Sequence, residues 1–182
     1  MKIASSDHKT LKQVDVYVSC EKVKCAKNEG PFVHLNVSTA ITNETYKDLE
    51  LSFNKLPSRK NSLDKKPKLA VNSLCFSNAR KTRAKFVKLK CRNYRSVQCI
   101  KTQSDEADVD IQDAYFQNQS TLETAGSCIA IEARIRASLR ILNSTFKENE
   151  ADAGGSLFVD SPDGYLDVNL TNVIFANCGA KK

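Results

Sequence analysis

The sequence predicts an all-β chain folded as a right-handed parallel β-helix with coils of about 30 residues. Three observations predict it: a four-fold internal repeat, a second strand about twenty residues into each repeat, and glycine or asparagine where the chain must turn. Four segments align without gaps: Leu69–Phe76, Val109–Phe116, Leu139–Phe146 and Val168–Phe175. Each has aliphatic residues at its first and third positions, and two apolar side chains at i and i+2 share one face of a strand. The fifth position is small and polar (Ser73, Asp113, Asn143, Asn172), and Asn and Asp tolerate the left-handed conformation of a tight bend. The eighth is Phe76, Phe116, Phe146 or Phe175, which re-enters the core beyond the bend. An asparagine follows as Asn78, Asn118, Asn149 or Asn177, suited to a second turn in which stacked amides share hydrogen bonds between coils. A lone strand of this kind buries nothing, so successive coils must stack.

In chain order, residues 1–68 carry three alternating segments, Val14–Val18, Val33–Val37 and Leu49–Phe53, which read as strands. They form degenerate N-terminal coils or a β-rich cap, closed by a basic, proline-bounded loop from Leu56 to Lys68. Residues 69–182 hold the repeats. The second strands are Phe86–Cys91, Ser127–Ala133 and Ser156–Asp160, the last two preceded by Gly126 and by Gly154 with Gly155. The coil from Leu69 is ten residues longer than its successors, and a loop at Cys91–Cys99 accommodates the excess. The closing Phe175-Ala-Asn177-Cys-Gly reads as the opening of one more coil, so the solenoid is expected to be truncated there.

The run Phe146-Lys-Glu-Asn149, followed by Gly154-Gly155-Ser-Leu157, resembles the paired FxxN and GGA[I/L] motifs of the chlamydial polymorphic outer-membrane proteins. It is also similar to β-helix regions of large extracellular animal proteins, notably of cnidarians. The resemblance covers residues 69–182 and implies a pectin-lyase-like solenoid; such folds host adhesins, lyases and tailspikes alike, so it does not choose a function.

Composition narrows the setting. No apolar run is long enough to span a bilayer. The N-terminus lacks the apolar stretch of a secretory signal, so a secreted form implies a signal further upstream. Seven cysteines suit an oxidising compartment, with Cys20–Cys25 and Cys91–Cys99 spaced to close small loops. Five Asn-x-Ser/Thr sequons, at Asn36, Asn43, Asn118, Asn143 and Asn169, point the same way. The expected location is extracellular or at the cell surface. Asn143 is both a sequon and a turn position, and a buried ladder asparagine cannot also be a glycan acceptor.

The net charge of +7 is uneven, basic up to about residue 101 and acidic beyond it. Arg80 to Arg95 holds eight cations and no acid. On strand geometry Lys85, Lys88, Lys90 and Arg92 offer a basic ladder that grips sulfated glycans or another polyanion. Compartment argues against nucleic acid. The alternative is a set of charged residues that keeps an exposed sheet soluble.

Chemistry is sparse. Arg134-Ile-Arg136 resembles the basic element of polygalacturonase-type β-helix enzymes only loosely, and neither Gly-His-Gly nor an Asp-Asp pair accompanies it. His34 lies in an alternating strand and reads as half-buried. Asp108, Asp110 and Asp113 alternate along one segment, as oxygen ligands of a cation or as a solvated acidic face. No catalytic residue, metal site or cofactor is assigned. The leading expectation is a non-catalytic extracellular scaffold that binds a protein or glycan ligand. The runners-up are a fragment of a carbohydrate-active enzyme and a polyanion-binding protein.

Overall fold

Strands whose apolar residues alternate must either find a second sheet or coil upon themselves, and this chain coils. The computed structural model describes residues 15–26, 32–52, 73–94 and 97–180. Among them there is no helix. The strands follow as β1 (Asp15–Glu21), β2 (Lys24–Ala26), β3 (Val33–Lys47), β4 (Glu50–Ser52), β5 (Ser73–Val87), β6 (Lys90–Arg92) and β7 (Gln98–Gln112). Beyond these come β8 (Tyr115–Gln117), β9 (Ser120–Ala125), β10 (Ile129–Lys147), β11 (Glu150–Ala153), β12 (Leu157–Asp160), β13 (Tyr165–Ala176) and β14 (Gly179–Ala180).

Every pairing between these strands is parallel, which requires a crossover between partners. The result is a parallel β-helix of about five turns, as the repeat predicts. Long strands bend from one face to the next: β3 pairs with β5 first at Val33–Val37 and again, after a register shift, at Ile41–Lys47. A first face therefore runs through β1, β3, β5, β7, β10 and β13. A short second face stacks β2, β4, β6 and β8, then the ends of β10 and β13. The third face joins the opening halves of β3, β5, β7 and β10 to β12. The strands before residue 53 belong to these same faces, in register with those beyond residue 72.

Inside, like residues stack on like. Tyr46, Phe86, Ile111 and Ile141 occupy one buried column, with the Tyr46 and Phe86 rings 4.7 Å apart. Leu51, Cys91, Phe116 and Phe146 fill the column behind the second face, and Phe175 continues it. Fully burying each such side chain contributes about 1.5–3 kcal/mol. The corners are left-handed. Lys22, Asp48, Lys88, Asp113, Asn143 and Asn172 take φ between 49° and 56° at the turn from first to second face. A second corner uses Asn93, Asn118, Glu148 and Asn177. Corner N–H groups donate to the carbonyl of the next coil, as Asp113 N does to Leu142 O at 3.0 Å. Gly126 (φ 66°) turns where an added Cβ would lie 2.4 Å from the Ile129 carbonyl oxygen, so no other residue fits.

Register corrects the first repeat. Phe76 is not above Phe116: it pairs with His34 and Lys101 and points outward on the third face, while Cys91 holds its expected place. Asn78 likewise lies on the third face, and Lys88 instead of Ser73 makes the bend. The segment Phe86–Cys91 thus ends a first-face strand, turns the corner and enters the second face instead of forming a third-face strand, whereas Ile129–Glu132 and Leu157–Asp160 do pair with each other as expected. The long coil precedes this one: Asp48 to Lys88 spans 40 residues, Lys88 to Asp113 only 25, so the excess is not at Cys91–Cys99. The expected loop at Leu56–Lys68 and the segment Leu69–Asn72 lie outside the described residues. Asn149 is not a turn residue either. Glu148 takes the left-handed φ, and Asn149 follows it into the interior.

Candidate functional site

Outward positions of the first face form a charge lattice. β5 contributes Lys81, Arg83 and Lys85, β7 contributes Glu106, Asp108 and Asp110, and β10 returns Arg136 and Arg140. Opposite charges therefore face each other across neighbouring strands, which stabilises a sheet, whereas like charges would repel. Lys81 pairs with Glu106 at 2.5 Å and with Asp108 at 3.8 Å, Lys85 with Asp110 at 3.9 Å, and Arg136 with Asp108 at 3.7 Å. The Lys81 hydrogen bond holds the Glu106 carboxyl below its ordinary value.

The basic ladder expected at Lys85, Lys88, Lys90 and Arg92 is distributed over three places. Lys85 projects from the first face, Lys88 occupies the corner and pairs with Asp48 at 3.7 Å, and Lys90 with Arg92 lies on the second face. Arg92 covers the Tyr115 ring at 5.1 Å, a cation–π contact. The acidic trio separates as well: Asp108 and Asp110 sit in the lattice and Asp113 turns the corner. Among the described residues no cluster of three His, Cys, Asp or Glu side chains could hold a metal. His34 is exposed instead of half-buried, stacked on Phe76 at 4.8 Å.

Cys91 and Cys99 are disulfide-bonded in the core, and Cys20 and Cys25 are both free thiols. Asn36, Asn143 and Asn169 are exposed, while Asn43 and Asn118 are half-buried. The either-or anticipated for Asn143 does not arise, because its ladder runs on the outside. Asn172 Nδ2 donates to Asn143 Oδ1 at 3.0 Å and Asn143 Nδ2 to Asp113 Oδ1 at 3.5 Å, yet Asn143 stays exposed.

A concave feature of the surface is one that sequence reading missed. Where the third face turns into the first lies a groove of about 650 Å³. Asn78, Gln103, Glu132 and Asp160, one from each of four adjacent strands, line it in register. Arg80, Asp105 and Arg134 line it from the turn, with Phe158 and Pro162 completing the wall. Arg134 Nε donates to Asp105 Oδ1 at 3.0 Å, and Gln103 Nε2 to Glu132 Oε2 at 2.6 Å. Lys101 Nζ lies 3.1 Å from the other Glu132 oxygen. The signal was present as a polar residue three places after each of the in-register Cys75, Ile100, Ile129 and Leu157, but the misplaced first repeat hid it.

These features define a parallel β-solenoid with a partly charge-paired outer lattice and a groove crossing its coils. Comparison with known protein families, characterised proteins and solved structures finds no match. No helix among the described residues is long and apolar enough to cross a membrane.

Proposed function

We propose that this chain is an extracellular β-helix scaffold segment that presents its outer surface for adhesion or ligand binding and performs no catalysis of its own. The observation that carries the reading is the groove on the third face. It spans four strands, several of its lining side chains are already held in place by partners, and concave clefts with a few convergent polar groups are where ligands bind. The Cys91–Cys99 disulfide is compatible with an oxidising, extracellular setting. Pairing of Lys85 and Lys88 with Asp110 and Asp48 leaves those two cations less available to a polyanion, which favours the scaffold reading over the polyanion one.

The test is to immobilise the chain, screen it against arrays of extracellular glycans and proteins, and assay polysaccharides incubated with it for shortened products. Retention of a ligand without product release is the expected outcome. Release of oligosaccharides would instead assign a carbohydrate-active enzyme, and binding that high salt abolishes would assign a polyanion-binding protein.

A further inference from the structure

We infer that the third-face groove is a binding site for a neutral polyhydroxylated chain, a glycan lying along the solenoid axis. The inference rests on the ligand-binding reading above and gives it a site and a ligand class. Asn78, Gln103, Glu132 and Asp160 stand one per strand in a single register column, about 4.8 Å apart. A ligand parallel to the axis meets one polar group per strand, a spacing comparable to the length of one sugar ring.

Asn78, Gln103 and Glu132 are fixed by partners and yet keep bonding capacity. Asn78 Nδ2 donates to Asn36 Oδ1 at 3.1 Å, leaving its second N–H and its carbonyl oxygen. Gln103 is tied to Glu132 through one N–H, and each Glu132 oxygen, with one partner, can accept again. Asp160 is exposed and has no partner among the described residues. Groups held this way lose little freedom on binding, the condition under which polar contacts add affinity.

The mixture of groups selects the ligand. Amides donate and accept, carboxylates accept, and the Arg134 guanidinium donates; a hydroxyl both donates and accepts and so satisfies all three. A polyanion would meet the unpaired Asp160 carboxylate, while the Glu132 and Arg134 charges are already balanced by Lys101 and Asp105. An extended peptide docks by adding to a free strand edge, whereas this floor is built from side chains of strands already paired on both sides at Gln103 and Glu132. Phe158 supplies the apolar wall against which the C–H face of a sugar packs.

Isothermal titration of the whole chain with neutral hexasaccharides of glucose and of N-acetylglucosamine, beside a hexagalacturonate and a heparin hexasaccharide, tests the site. The expected result is binding of a neutral probe that salt leaves unchanged and that Asp160→Ala and Asn78→Ala each weaken about tenfold. Asp160→Asn, which keeps the shape, and a melting curve matching that of the parent chain separate lost binding from lost fold. Binding of charged probes alone, of no probe, or of a probe indifferent to these substitutions overturns the inference. Indifference to the groove substitutions leaves the scaffold reading intact. Cleavage of a bound neutral probe does the reverse, retaining the groove while ending the non-catalytic reading.

Discussion

Phe116 and Phe146 stack face to face, ring centroids 4.8 Å apart and planes within 6°, and both are fully buried. Phe175 continues the stack 4.9 Å beyond Phe146. Phe146 therefore has an aromatic partner on both sides, and its loss opens a cavity shared by two coils. Phe146→Ala is expected to lower stability by about 3–5 kcal/mol, read from urea unfolding, and Phe146→Leu by clearly less. A Phe146→Leu variant as stable as the parent chain would mean that the stack adds nothing beyond bulk.

Asn149 is 1% exposed, an unusual place for an amide. It is satisfied by three neighbours from adjoining coils: it accepts from Gln119 N at 3.0 Å and donates toward Phe116 O at 3.4 Å and Cys178 Sγ at 3.8 Å. Asn149→Ala leaves the Gln119 N–H without that acceptor, at a cost of about 1–3 kcal/mol. Asn149→Asp keeps the acceptor but loses the donor and buries a charge, so it should be the worse of the two by thermal melting at neutral pH.

Because Lys81 holds the Glu106 carboxyl below its ordinary value, the folded state favours the ionised form. The stability this gives is present above the unfolded carboxyl's pKa and disappears as pH falls through the folded one. The pair is partly solvated, so the contribution stays below about 1 kcal/mol. Glu106→Gln should melt below the parent chain at neutral pH, with the gap narrowing as pH drops into the carboxylate range. A gap that widens on acidification would contradict the pairing.

The architecture was legible because stacking needs repetition. Val109–Phe116, Leu139–Phe146 and Val168–Phe175 lie over one another, and their bends at Asp113, Asn143 and Asn172 are left-handed. The first repeat misled because Phe76 and Asn78 imitate the motif by chance, while the true coil carries Lys88 at the bend and Cys91 in place of phenylalanine. Neither substitution breaks the structure. The left-handed bend at Lys88 is held by its N–H donating to Gln112 O at 2.9 Å, and Cys91 fills part of a phenylalanine's space through its bond to Cys99. A composition-tolerant corner cannot be read from composition. The groove followed the same rule in reverse: its column crosses four coils, so a register error in one of them scattered Asn78 from Gln103, Glu132 and Asp160.

The disulfide and the free thiols give the most direct check on how closed the interior is. Cys91 and Cys99 close a loop of about eight residues, and removing that bond through Cys91→Ala with Cys99→Ala should cost roughly 2–3 kcal/mol by loop entropy. Burial pushes the Cys75 and Cys128 thiols well up, so at neutral pH both stay protonated and out of reach of solvent. Cys20, Cys25 and Cys178 are only half-buried. A charged thiol reagent should therefore modify the last three in the native state, while Cys75 and Cys128 react at the rate of unfolding. The raised thiol values also set an alkaline limit. The stability they reflect is whole below the ordinary thiol pKa and is lost as pH rises from there toward the folded values, so melting temperature should fall on that side. Substituting Cys75→Ala and Cys128→Ala should flatten that alkaline decline while lowering stability at neutral pH through the cavities left behind. Rapid native-state labelling of Cys75 would show instead that the coils around it open far more readily than their register implies.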